Sequence, residues 1–179
     1  FNPSTGGGNT LYGCKLLFTL GQTIVALYTF ENNGSTNEFP QRARWCKKQD
    51  PSNWVDTIAG GGNYADAATG DHIISAQALK NQIIVFFTNS VWALQYTGDP
   101  NKQFRWQRLN NYRACDGKMA SVGYDRNAIA VGIRGITATD GSQTERIDNR
   151  IVEFANNDIK RSTSAAVTTA GETNRAVAA

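Results

Sequence analysis

The chain has 179 residues, enough for a sizeable core, and 18 basic against 15 acidic side chains leave a formal net charge of only +3. The basic residues are scattered apart from the short group Arg42, Arg44, Lys47 and Lys48. That is too dilute for the clustered basic face that nucleic-acid binding needs, and the group reads as a solvated strand edge. No apolar run approaches the ~20 residues that span a bilayer.

Phe1-Asn2-Pro3 shows no signal-peptide pattern, and with no starting Met the sequence reads as a piece of a longer polypeptide. Cys14, Cys46 and Cys115 are an odd, sparse set without a C-x-x-C, so buried thiols in a reducing cytosol are expected rather than a disulfide framework or a zinc site.

Gly is abundant and Pro scarce, and Thr, Val, Ile and aromatic residues recur in short runs bounded by Gly, Asn and Asp. This is the composition of strands and turns. Residues 1–15 read as an N-terminal segment. Leu16-Leu-Phe-Thr-Leu20 and Thr23-Ile-Val-Ala-Leu-Tyr-Thr29 then read as two strands joined at Gly21-Gln22, and Glu38-Phe-Pro-Gln-Arg-Ala-Arg-Trp-Cys46 as a closing strand. Together they make a first unit over residues 16–48. Residues 49–70 read as a long surface loop, with one helical turn at most in its Ala-rich part, 64–70.

The second unit, residues 71–110, is the clearest. Its strands are 72–78, the apolar run 82–88, 91–96, and the alternating Gln103-Phe-Arg-Trp-Gln-Arg-Leu109, with turns at Lys80-Asn81, Asn89-Ser90 and Gly98-Asp99-Pro100-Asn101. The third unit, 117–152, repeats the phrase with strands at 118–124, 127–134, 135–139 and 143–151, and Asp140-Gly141 as a hairpin signal. Residues 161–179 hold a further strand or tail, Ser164-Ala-Ala-Val-Thr-Thr169 before Gly171. Asn81 to Arg126 and Asn89 to Arg134 are each 45 residues apart, within the ~40–50 residues of a four-stranded propeller blade. The expected fold is therefore all-β: antiparallel four-stranded blades, β-propeller-like, about three of them visible in residues 16–160. Such blades expose apolar faces on both sides and are stable only when stacked. A plain open β-sandwich is the competing fold.

The sequence offers little catalytic chemistry. His72 is the single histidine and sits beside Asp71, but no nucleophile motif such as G-x-S-x-G accompanies the pair, so it reads as a strand-entry residue. Asp140, Glu145 and Asp148 cluster in sequence, yet alternation sends Glu145 and Asp148 to opposite faces, and Ala138 breaks the calcium-loop pattern ahead of Gly141. Gly6-Gly7-Gly8 and Gly60-Gly61-Gly62 lack the Lys-Ser/Thr of a phosphate loop and read as flexible. Asn33-Gly34-Ser35 fits a glycosylation sequon but reads as a turn. Trp45, Trp92 and Trp106 occupy strand positions and read as packing between blades, whereas Trp54 in the long loop is a candidate exposed contact. No catalytic, cofactor-binding or metal-binding residue is assigned, and no cofactor is expected.

Several phrases go together: Arg42-Ala-Arg-Trp-Cys-Lys-Lys-Gln-Asp-Pro-Ser-Asn-Trp54, Ala59-Gly-Gly-Gly62, Asp71-His-Ile-Ile74, Ile83-Ile-Val-Phe-Phe87, Asn89-Ser-Val-Trp-Ala-Leu94 and Phe104-Arg-Trp106. Over residues 16–151 they resemble the propeller-like region of tailed-phage virion proteins, the tail nozzle or tail-stabilisation proteins of short-tailed phages. The resemblance implies a non-enzymatic structural component, made in the host cytoplasm and resident in the virion tail. It implies a homo-oligomeric ring, typically sixfold, that contacts the portal, its adaptor and other tail proteins and forms part of the conduit through which DNA leaves. Two other readings compete: a cellular propeller for protein–protein interaction, without the Trp-Asp or recurrent Gly-Gly dipeptides of WD-repeat and kelch proteins, and a glycan-active propeller enzyme.

Overall fold

Hydrophobic alternation and short turns produce strands that pair with their immediate neighbours in sequence. A computed structural model describes residues 3–148, other than Gly7, Asn33, residues 57–60, Pro100, Asn101, Arg113, Ile133 and Arg134. The strand expected at 164–169 and the end of the third unit lie outside the described residues. Within them the chain is all-β, with thirteen strands, no helix, and antiparallel pairing throughout. Among the described residues no helix is long and apolar enough to cross a membrane.

The first sheet holds β1 (Ser4–Gly6), β2 (Asn9–Leu20), β3 (Thr23–Asn32), β4 (Thr36–Trp45) and β5 (Asn63–Asp66), in that spatial order. The second holds β6 (Ile73–Leu79), β7 (Gln82–Phe87), β8 (Val91–Tyr96) and β9 (Phe104–Asn110), also in chain order. The third holds β10 (Ser121–Tyr124), β11 (Asn127–Gly132), β12 (Gly135–Thr139) and β13 (Thr144–Arg146). The last two are four-stranded meanders.

The first sheet departs from the sequence expectation in three ways. The expected N-terminal segment supplies β1 and half of β2. The expected loop 49–70 contains β5, whose Ala65 pairs with Ala43, so the Ala-rich part is strand rather than helical turn. The phrase expected to close the unit, residues 38–46, is therefore an interior strand. A loop composition hid β5 because a four-residue strand carries too little alternation to register alone.

Packing explains the long apolar run of β7. Alternate side chains Ile83, Val85 and Phe87 enter one cluster with Val25, Leu27, Trp45, Trp92, Leu94 and Phe104, between the first and second sheets. The intervening Ile84 and Phe86 enter another with Val91, Ala93, Ala128 and Ala130, between the second and third. A strand buried on both faces reads as continuously apolar, not alternating. Trp45, Trp92 and Trp106 all join the first of these clusters, and Trp106 donates its Nε1–H to the Ala65 carbonyl across the gap between sheets at 3.0 Å.

A polar seam joins the second and third sheets. Ser75 Oγ lies 2.8 Å from the Lys118 carbonyl and 2.7 Å from Ser121 Oγ, and Gln77 Nε2 donates to the Ser121 carbonyl at 2.9 Å. Gly132 is required where β11 passes the main chain of Ala114 and Cys115: a Cβ there would stand 2.6 Å from the carbonyl carbon of Ala114.

Candidate functional site

The strongest concentration of charge is buried, on the face of the first sheet that points away from the second. Arg42 and Arg44 are two apart on β4, hence on one face, and Arg44 is paired in register with Ala26 of β3. Arg44 is 1% exposed and Arg42 is buried too, so the solvated strand edge expected for this group is overturned for both. Glu31 is what makes burial tolerable. Its carboxylate accepts from Arg42 Nη1 at 3.2 Å, from Arg44 Nε and Nη2 at 3.0 Å each, and from Thr29 Oγ1 at 3.0 Å. Arg42 also makes a two-pronged pair with Asp66, at 2.7 and 2.9 Å. Rings of Phe39 and Tyr64 flank its guanidinium, 3.7 and 4.1 Å from centroid to Cζ.

The far side of the cluster is covered by the chain between β4 and β5. Arg44 Nη1 donates to the Trp54 carbonyl at 3.3 Å and its Nη2 stands 3.7 Å from Asp56. Trp54 is 1% exposed and packs with Leu11, Ala26 and Cys46, so it is not the exposed contact the sequence offers. Its ring N–H is satisfied by the Pro51 carbonyl at 2.8 Å. Gly62 is pressed against this strap: a Cβ would meet Trp54 main-chain atoms at 2.6 Å. Close approach, not flexibility, is what this glycine serves.

Two guanidiniums thus face three carboxylates, Glu31, Asp56 and Asp66, and Arg42, Arg44, Glu31 and Asp56 line a cavity of about 110 Å³. Burial pulls the Arg42 pKa down, but its hydrogen bonds and charge pairing with Asp66 and Glu31 outweigh that and leave it raised. A guanidinium is a donor in a rigid fork and not a proton-transfer group. Its chemistry is that of a clamp.

A second group surrounds Tyr28, which has a positive φ of 55° where β3 and β4 slip register. Its hydroxyl donates to Glu38, Lys15 Nζ sits 3.2 Å over its ring, and His72 stacks on it with centroids 6.5 Å apart. Burial and the Glu38 carboxylate push the phenol up to about 12, the opposite of an activated nucleophile.

The remaining sequence candidates have structural occupations. Asp71 accepts from Asn89 and Ser90, at 3.0 and 2.9 Å, rather than orienting His72, and Ser90 in turn accepts from Trp92 Nε1 at 2.9 Å. Burial raises the Asp71 pKa, yet those hydrogen bonds leave it lowered. Asp140 accepts from the main-chain N–H groups of Gln143 and Ser142 and from the Ser142 hydroxyl, which hold its pKa down at about 2 and form the turn. Glu145 is exposed, while Asp148 is buried and paired with Arg146. Cys14 and Cys46 are free thiols, and Cys115 donates to the Gly117 carbonyl. Among the described residues no group of three or more His, Cys, Asp and Glu could hold a metal ion.

A cleft of about 860 Å³ opens at the turn ends of the second and third sheets. It is lined by Lys80, Gln82, Gln95, Arg105, Arg126 and Asp140 among others. Gln82 Nε2 donates to the Asp140 carbonyl at 3.0 Å across it. Compared with models of known protein families and with curated proteins, the chain matches none.

Proposed function

We propose that the chain is a non-enzymatic structural module: a stack of propeller-like blades in the tail of a bacteriophage virion, of the nozzle or hub type, forming part of the DNA-ejection conduit. The observation that carries this reading is the middle sheet. β7 is buried on both faces between like sheets, which is how a blade is used in a stiff wall. The polar side chains add support. Arg42, Arg44, Asp71 and Asp140 are consumed in ion pairs, turns and a main-chain contact rather than gathered around a reacting centre. The phrase that carries the resemblance, Arg42 to Trp54, is the same phrase that builds the buried clamp and its strap.

In this reading copies form a ring, sixfold by resemblance, against the portal, its adaptor and other tail proteins. Electron microscopy of virions labelled with an antibody to this chain tests it. Label repeated symmetrically around the tail axis is the expected outcome; particles without label, with the chain recovered only from the cell fraction, overturn it. The cleft between the second and third sheets favours a second reading, a cellular propeller that binds a partner protein through its turns. Label confined to the cell fraction brings that one forward.

A further inference from the structure

The three sheets share one polarity. Val25 and Leu27, then Ile84 and Phe86, point toward the sheet that follows in the chain, and Ile129 and Val131 occupy the equivalent places on β11, 45 residues after Ile84 and Phe86 and on the face opposite Ala128 and Ala130. The first two pairs are buried by that following sheet. Ile129 and Val131 are only half-buried. Their register neighbours on the same face fare worse: Val122, paired with Ile129, is 57% exposed, and Tyr124, paired with Asn127, is 70% exposed. At the opposite end of the array the strap through Trp54 covers Leu11, Ala26 and Cys46, although Leu17, paired with Ala26 on that face, is 60% exposed.

We propose that this face of the third sheet is a docking surface for residues 164–169 of the same chain, laid along β10. Two observations name the occupant. The strands that precede the turns Gly21-Gln22, Lys80-Asn81 and Asp125-Arg126 already lie side by side, β6 against β2 and against β10, so the place beside β10 belongs to the strand before the next such turn. The repeat also supplies that strand: Asn81 and Arg126, 45 residues apart, each sit in the turn after a first strand, and one further step of 45 lands on Gly171. Ser164-Ala-Ala-Val-Thr-Thr169 stands ahead of Gly171 as β6 and β10 stand ahead of their turns. Its small residues suit close approach to Val122 and Tyr124, as Ala128 and Ala130 suit Ile84 and Phe86. The inference stands whether or not the protein works in a virion.

The test uses the full chain with Cys14→Ser, leaving only the buried Cys46 and Cys115, and a cysteine introduced as Val122→Cys. Its labelling by a small thiol reagent is compared with that of Tyr12→Cys, an exposed position on β2 (62% exposed). Labelling at 122 about tenfold slower than at 12, unchanged on dilution and restored by Val167→Asp, is the expected result. Equal rates at the two positions overturn the proposal. Protection that disappears on dilution also overturns it, since the cover is then a second copy. Amide exchange of the unsubstituted chain gives an independent reading: slow exchange at 164–169 is expected, and exchange at the rate of a free peptide overturns the proposal.

Discussion

The first and third sheets flank the same middle sheet, and they differ in how they finish their outward faces. The first covers Ile24 and Ala26 with its own chain, anchored by Trp54 and by an arginine clamp on Glu31. The third leaves Val122 and Tyr124 open to solvent. The middle sheet needs neither device, because neighbours cover both its sides. An end sheet in a stacked array must be capped or continued, and the first sheet is capped in part by its own chain. The clamp is also a more expensive solution than apolar packing. Burying two guanidiniums is tolerable only while every donor is matched, so it fixes one geometry of the strap rather than adding much stability.

Removing the cap is the most direct way to break the contrast. Trp54→Ala should lower stability by about 4 kcal/mol in urea unfolding, the cost of deleting a buried indole, and should open the strap to limited proteolysis. A loss under about 1 kcal/mol would mean the strap is ornamental. Arg44→Ala comes next, at about 3 kcal/mol, because it strands part of the buried Glu31 carboxylate. The double substitution Arg44→Met with Glu31→Leu should recover most of that; no recovery would show that the ion cluster stabilises in its own right. Gly132→Ala, at the packed side of the third sheet, should cost about 2 kcal/mol through its clash with the Ala114 main chain. Gly117→Ala, whose Cβ would meet only Ala120 at 4.0 Å, should be close to neutral.

The smallest effect is a pH dependence. Tyr28 is raised to about 12 in the fold, against about 10 for an exposed phenol. The folded chain therefore keeps a proton that the unfolded chain loses. Stability is complete below about pH 10 and falls as pH rises toward 12. Tyr28→Phe should remove that part of the alkaline slope, measured by unfolding at successive pH values. An unchanged slope would assign it to other groups.

Much of the second sheet is legible in the sequence. Alternation and the turns Lys80-Asn81 and Asn89-Ser90 place β6 to β9 within a residue of their observed ends, because each of these strands pairs with its neighbour in sequence and carries its own pattern. The clamp is not legible in the same way. Arg42 and Arg44 resemble a solvated edge by composition, since their partner Glu31 lies 11 and 13 residues upstream on another strand. The one local signal is their spacing of two within a strand, which puts both charges on one face. Trp54 and Gly62 resemble exposed loop residues because the fact that decides them, a strap lying flat on a sheet, is contributed by residues far from either.

By itself the sequence determined the all-β class, the antiparallel meanders and the recurrence of about 45 residues. These follow from backbone pairing and side-chain alternation over short distances, which any window of the chain carries. Only the tertiary structure decided which faces are covered and by what: that β7 is buried twice, that β5 is a strand, that two arginines are interior, and that a strap covers part of the first sheet's outward face. Burial is a property of neighbours brought together from distant parts of the chain, and a residue's own type says only what that neighbourhood must provide.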